Sequence, residues 1–123
     1  MGQSTHEAIV QELLALAKQK LAEQQAEKMS QAIVLRSENG KLYSFFAQLE
    51  DLPAAEDAIC RKLSDASGTA ITHMAALWEN GQVDIPSHRL RSHLVALDEK
   101  NRDALILLQS ENGYSFHPLH KTL

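Results

Sequence analysis

The stretch from Thr69 to Trp78 is nearly continuous in apolar residues. A strand of that composition has no face to give to water, so other elements must cover it on both sides. Asp103-Ala104-Leu105-Ile106-Leu107-Leu108 is a second run of the same kind. A chain with two such strands needs helices above and below a sheet, and the rest of the sequence supplies them.

From the N-terminus, Ser4 followed by Glu7 has the form of a capping box. Ile9, Leu13, Leu16, Ala17 and Leu21 then recur at helical spacing. Gln19 to Lys28 is more polar, so the far end of this helix is expected to run over solvent, and Met29 to Gln31 to join it to the sheet. Ala32-Ile33-Val34-Leu35 and Leu42-Tyr43-Ser44-Phe45-Phe46 flank an Asn39-Gly40 turn, which predicts a β-hairpin. Asp51 to Pro53 carries helix-start chemistry. Ala55, Ile59, Leu63 and Ala66 follow at spacings of three or four, and Gly68 suits the residue after the helix end. Glu-Asn-Gly occurs at Glu38, Glu79 and Glu111, each time just beyond an apolar run, at unequal intervals. That is reused turn chemistry and not an internal repeat.

The order is therefore α-β-β-α-β-α-β, closed by a short strand or turn around Tyr114-Ser115-Phe116. It predicts one α/β domain over residues 1–123. The first 28 residues form the N-terminal helix, and residues 29–123 form the hairpin and two β-α-β crossovers. The architecture expected is a three-layer α-β-α sandwich around a mixed sheet of about five strands. At 123 residues the chain has room for one core. A net charge of −4 disfavours non-specific binding to nucleic acid or to an anionic membrane. A single cysteine, Cys60, excludes an internal disulfide and, with no apparent signal or membrane-spanning segment, suggests the cytoplasm.

The stretch with the frame of a site is Ile85-Pro86-Ser87-His88-Arg89-Leu90-Arg91. It follows a buried strand and opens a helix carrying Leu90, Leu94 and Leu97 on one face, with Pro86 at the first turn. Unpaired N–H groups and the positive end of the dipole make such a terminus a natural place for an anion or a metal. From the hairpin onward, this arrangement resembles the cytidine deaminase-like fold. In that family a helix begins Cys or His, Ala, Glu, and a later helix begins Pro-Cys-x-x-Cys, often followed by arginine. Pro86 and Arg91 match the second motif, but Ser87 and Leu90 hold its cysteine positions. Ala54-Ala55-Glu56 resembles the first motif with Ala54 in the ligand position. If Ala58-Ile59 set the alignment instead, the ligand becomes Pro53 and the glutamate becomes Ala55. The family's Tyr-Ser/aromatic-Gly-Ala-Ala stretch on the first strand is missing. The resemblance implies a domain that keeps the architecture without the three zinc ligands and the activated water of the enzymes. No metal or other cofactor is expected.

The candidate cleft is Glu56, Ser87, His88 and Arg89. Functionally, His88, Ser87 and Arg89 would hold a small anionic or nucleotide-like ligand; structurally, Ser87 caps the helix while His88 and Arg89 face water. Arg89 with Arg91 could grip phosphate. His88 and His93, five apart, do not share a helical face. His117 and His120 fit docking of the C-terminus better than metal binding. His73 reads as a hydrogen-bonded core or subunit-contact histidine, Cys60 as a small apolar side chain, and Trp78 and Tyr43 as packing residues near sheet ends. The leading expectation is a non-catalytic, homo-oligomeric binding or interaction module. The alternative is an enzyme or nucleotide-binding protein that uses the equivalent cleft without zinc.

Overall fold

The computed structural model describes residues 6–24, 29–66, 69–111 and 113–123. It contains helices α1 (His6–Glu23), α2 (Leu52–Asp65) and α3 (His88–Leu97). Its strands are β1 (Ser30–Ser37), β2 (Leu42–Gln48), β3 (Ile71–Trp78), β4 (Val83–Asp84), β5 (Leu105–Ser110) and β6 (Gly113–Pro118). Ser4 of the expected capping box, residues 25–28 of the expected helix end, Gly68 and Asn112 lie outside the described residues.

The strand order is β2-β1-β3-β5-β6, with β4 paired to β3. β1 lies antiparallel to both β2 and β3, so β2 and β3 run in one direction, and β5 joins β3 in parallel. α2 and α3 thus link strands of common direction, as their position in the sequence requires. Alternation along the central strands sorts the core into two layers. Ala32 and Val34 of β1, with Ala75 and Leu77 of β3, pack under Leu13, Leu14, Ala17 and Leu21 of α1. Ile33, Leu35, Met74 and Ala76 face Ile59 and Leu63 of α2 and Leu90 and Leu94 of α3. This is the three-layer mixed sandwich expected, with six strands in place of about five.

The boundaries differ in ways that have local causes. β3 begins at Ile71 and not at Thr69, because Asn101 intervenes there. Its Oδ1 accepts from the Ile71 N–H at 2.7 Å, and its Nδ2 donates to the carbonyls of Thr69 and Leu94, both at 2.8 Å. The run beginning at Asp103 starts its strand at Leu105, since Glu99–Asp103 is a 3-10 turn. After Asn80-Gly81 the chain does not leave the sheet at once. Gly81 adopts φ of 89°, and Val83 and Asp84 pair back onto Leu77 and Ala76. Two residues are too few to show a periodicity. Pro86 lies outside the first turn of α3, which begins at His88 with Ser87 as its cap. No helix among the described residues is long and apolar enough to cross a membrane.

Asn101 is fully buried and serves three backbone groups, two at the entry to β3 and one on α3. Asn101→Ala is expected to destabilise the domain by about 3 kcal/mol or more, because each orphaned buried group costs about 1–3 kcal/mol. Asn101→Asp retains the acceptor for Ile71 but sets an oxygen against the carbonyls of Thr69 and Leu94 in a fully buried place, so it should cost at least as much. Urea unfolding of the two variants against wild type measures both.

Candidate functional site

The first turns of α2 and α3 meet over the sheet through their side chains. A turn of 3-10 helix at Leu49–Asp51 joins β2 to α2, which has Pro53 in its first turn, while Asp51 holds the cap position without a capping bond from its side chain. Glu56, one turn along, is only 2% exposed. Ser87 donates its hydroxyl to Glu56 Oε2 at 2.6 Å. The same hydroxyl oxygen accepts from the Leu90 N–H at 3.0 Å, which caps α3. One side chain thus satisfies an orphan donor of the helix and supplies a donor to a buried carboxyl group. Of the two ways of matching the start of α2, the one ending on Glu56 brings a carboxyl group to Ser87. Ala55 instead lines a cavity of about 240 Å³ together with Ser44, Phe45, Ala58, Ile59 and Lys62.

The remaining candidates separate. Arg89 is exposed, and its guanidinium lies 2.7 Å from Asp57 Oδ2, so it does not point a free charge at Ser87. That bond raises the pKa of Arg89 and lowers that of Asp57. His93 Nδ1 stands 3.7 Å from the other oxygen of Asp57. His88 is exposed, with Nδ1 3.4 Å from Ser92 Oγ. Arg91, the other arginine that could grip phosphate, is not presented at the surface with Arg89. Arg91 is buried and turns to the backbone, donating from Nε to Pro86 O at 2.9 Å and from its guanidinium to Thr122 O. Desolvation lowers its pKa. It ties the start of α3 to the C-terminal turn at Leu119–Thr122, a role no short-range pattern could reveal.

The other histidines are placed as packing and surface groups. His73 is half-buried, with Nδ1 2.9 Å from Thr72 Oγ1 and its ring edge-on to Phe116 at 5.0 Å. His117 Nε2 lies 2.9 Å from Ser115 Oγ, while His120 is 3.9 Å from Asp103. Tyr43 is buried, and Trp78 donates its indole N–H to Asp84 Oδ2 at 2.8 Å. Cys60, 1% exposed, has its pKa pushed up to about 11 by burial and then by the charges of Asp57 and Glu56. Sequence reasoning missed Asp57. Its only local signal is its place beside Glu56.

A zinc ion of the kind the resemblance brings with it needs three donor side chains. The residues here do not fit it. Ala54 has no donor, Leu90 is fully buried in the core, and Ser87 Oγ is engaged by Glu56 and Leu90 N. Among the described residues no group of three His, Cys, Asp or Glu side chains could hold a metal.

The sequence matches no protein-family model and no curated protein. Solved structures do match. Cytidine deaminase from Bacillus anthracis is similar with a TM-score of 0.68 at 19% identity, over 93% of this chain and 86% of that one. The Mycobacterium leprae enzyme gives 0.64 at 14% identity, over 93% and 96%. The Burkholderia pseudomallei enzyme gives 0.62 at 14%, over 98% and 97%. The chain has the cytidine deaminase-like fold that its motifs resemble.

Two measurements test the site. Ser87→Ala removes a cap, worth about 0.5–2 kcal/mol, and orphans a buried oxygen, worth about 1–3 kcal/mol. Its expected cost is about 2–4 kcal/mol, and a double-mutant cycle with Glu56→Ala should return a coupling of about 1–3 kcal/mol. For Cys60 the thiol is the favoured form in the fold. The unfolded chain releases this proton near the ordinary thiol value of 9.0, the folded chain near 11. Between those limits the folded state binds more protons, so stability falls as pH rises from about 9 to about 11 and this contribution is fully present below 9. Cys60→Ala is expected to flatten that part of the stability–pH profile.

Proposed function

We propose that this chain is a cytidine deaminase-like domain that does not deaminate through zinc and acts as a homo-oligomeric binding or interaction module. The observation that carries this reading is the bond from Ser87 to Glu56. A glutamate that shuttles protons for a metal-bound water must face that water. Here the equivalent carboxyl group is buried and turned to a serine that also caps α3. Among the described residues no group of three His, Cys, Asp or Glu side chains could hold a metal to activate water, and the two motif positions nearest in sequence are Ala54 and Leu90.

The basic groups support the same reading. Arg89 is engaged by Asp57 and Arg91 by backbone carbonyls, which leaves His88 as a weak basis for an anion site in this cleft. Self-association has support from apolar side chains left in solvent. Met29 is 53% and Leu49 48% exposed, and they adjoin through the bond from Leu49 N to Met29 O. Closed symmetric assembly is the usual way for a soluble chain to cover such groups.

Purified protein is expected to carry no stoichiometric zinc by elemental analysis and to leave cytidine unchanged in an ultraviolet deamination assay. Light scattering should give a mass that is a multiple of the 13.7 kDa chain. Turnover of cytidine, or about one zinc per chain lost on mutating Glu56 or His88, would overturn the non-catalytic reading. A monomer across working concentrations would remove the oligomer. A melting shift with nucleosides that disappears in the His88 and Arg89 variants would favour a nucleotide-binding cleft instead.

A further inference from the structure

β2 is the outer strand on its side of the sheet, and β1 is its one strand neighbour among the described residues. The register shows which of its backbone groups are left over. Ser37 N–H donates to Lys41 O and Leu49 N–H to Met29 O, so the odd-numbered residues from Lys41 to Leu49 bond toward β1. Leu42, Ser44, Phe46 and Gln48 therefore turn their N–H and C=O groups outward. The strand from Leu42 to Gln48 carries no charged residue, no proline and no bulge, devices that keep a sheet edge from pairing. The other outer strand, β6, is blunted. Leu119 N–H donates inward to Ala104 O, which puts Pro118, without an N–H, at an outward position. Beside the β2 edge lies the cavity of about 240 Å³, where Ser44 and Phe45 meet Ala55, Ala58, Ile59 and Lys62 of α2.

An unprotected strand edge beside an apolar cavity is suited to the addition of another strand. We propose that two copies of this chain join through β2, antiparallel, about a two-fold axis at Phe45. In that register Leu42 pairs with Gln48 of the second copy and Ser44 with Phe46, so every outward residue is used. Moving the axis to Ser44 or Phe46 leaves Gln48 or Leu42 without a partner. Phe45, which packs on the face that carries α2, then stands opposite itself. The second copy's ring closes the cavity against Ala55, Ala58 and Ile59, where small side chains leave it room. Lys62, exposed at the rim, carries its ammonium out to water along its stem. Charge favours the antiparallel arrangement. Lys41 comes opposite Leu49 and beside Glu50 of the second copy, so the basic start of each strand meets the acidic turn that follows the other. The stem of Lys41 also covers Leu49, which is 48% exposed in the single chain. The proposal rests on the homo-oligomeric reading above and names the surface it uses.

The full chain carrying both Leu42→Cys and Gln48→Cys is oxidised and run on a non-reducing gel. Hydrogen-bonded antiparallel partners have Cα atoms about 5.5 Å apart, within reach of a disulfide, whereas about 20 Å of strand separates the two positions within one chain. Cys60 is buried and does not compete. The expected result is a covalent dimer from the double variant and none from either single variant. Ala58 is exposed, so Ala58→Arg leaves the core of the single chain intact while setting a charge in the seam. By light scattering it should weaken association about tenfold or more. Lys41→Glu should weaken association as well, and adding Glu50→Lys should restore it. These exposed positions read the same seam, so they decide the matter where the cysteine variant does not fold. An assembled wild type whose Ala58→Arg variant assembles equally well overturns this surface and leaves the homo-oligomeric reading standing. So does an assembled double-cysteine variant that gives no covalent dimer, or single variants that cross-link as readily. A wild-type monomer across working concentrations overturns both.

Discussion

The central pair of strands has no wet side. Ala32 to Leu35 on β1 and Met74 to Leu77 on β3 are all buried, on both faces of the sheet. Fully burying one Val, Leu or Ile side chain contributes about 1.5–3 kcal/mol, so leaving either face open would forfeit a large share of a marginal total. α1 covers one face, and α2 and α3 cover the other. With both crossover helices on one face, their first turns are brought together above the sheet, and the meeting of Glu56 with Ser87 follows from that.

At that meeting point the fold's architecture and its side chains part company. The frame, two helix starts beside a buried strand, is suited to a polar centre, and the similar solved structures are enzymes of that build. In this chain the polar groups close on one another. Ser87 serves both a helix terminus and a carboxyl group, Arg91 fastens the start of α3 to the C-terminal turn, and Arg89 closes on Asp57 at the surface. Each bond ties one element to another. Only the exposed Arg89–Asp57 pair is of the kind that contributes little to stability.

The opposite face of the same sheet end keeps two buried oxygens without a partner among the described residues, Ser30 Oγ and Glu79 Oε2. Met29 adopts φ of 63°, a conformation uncommon for a residue with a side chain. It is held from two sides, its N–H by Glu79 and its carbonyl by Leu49. The joint between α1 and the sheet therefore rests on Glu79, a residue that looks in sequence like ordinary turn punctuation. Glu38 and Glu111 occupy the same tripeptide, yet both are exposed.

The sequence by itself determined the helices, the hairpin, the doubly covered strands, the capping role of Ser87 and the absence of cysteine from positions 87 and 90. These are local matters: periodicity, turn chemistry and the identity of a residue are read within one or two turns of chain. It overran the start of β3 and of β5 and passed over β4, because short-range apolarity does not mark where a strand finds its partner. Only the tertiary structure decided what the polar side chains do. Ser87 meets Glu56 across 31 positions, Arg89 meets Asp57 across 32, Asn101 reaches Ile71 across 30, and Glu79 reaches Met29 across 50. A hydrogen bond tolerates only a few tenths of an ångström, so such pairings depend on strand order and register. Those are set by how the whole core packs, and no window of sequence contains them.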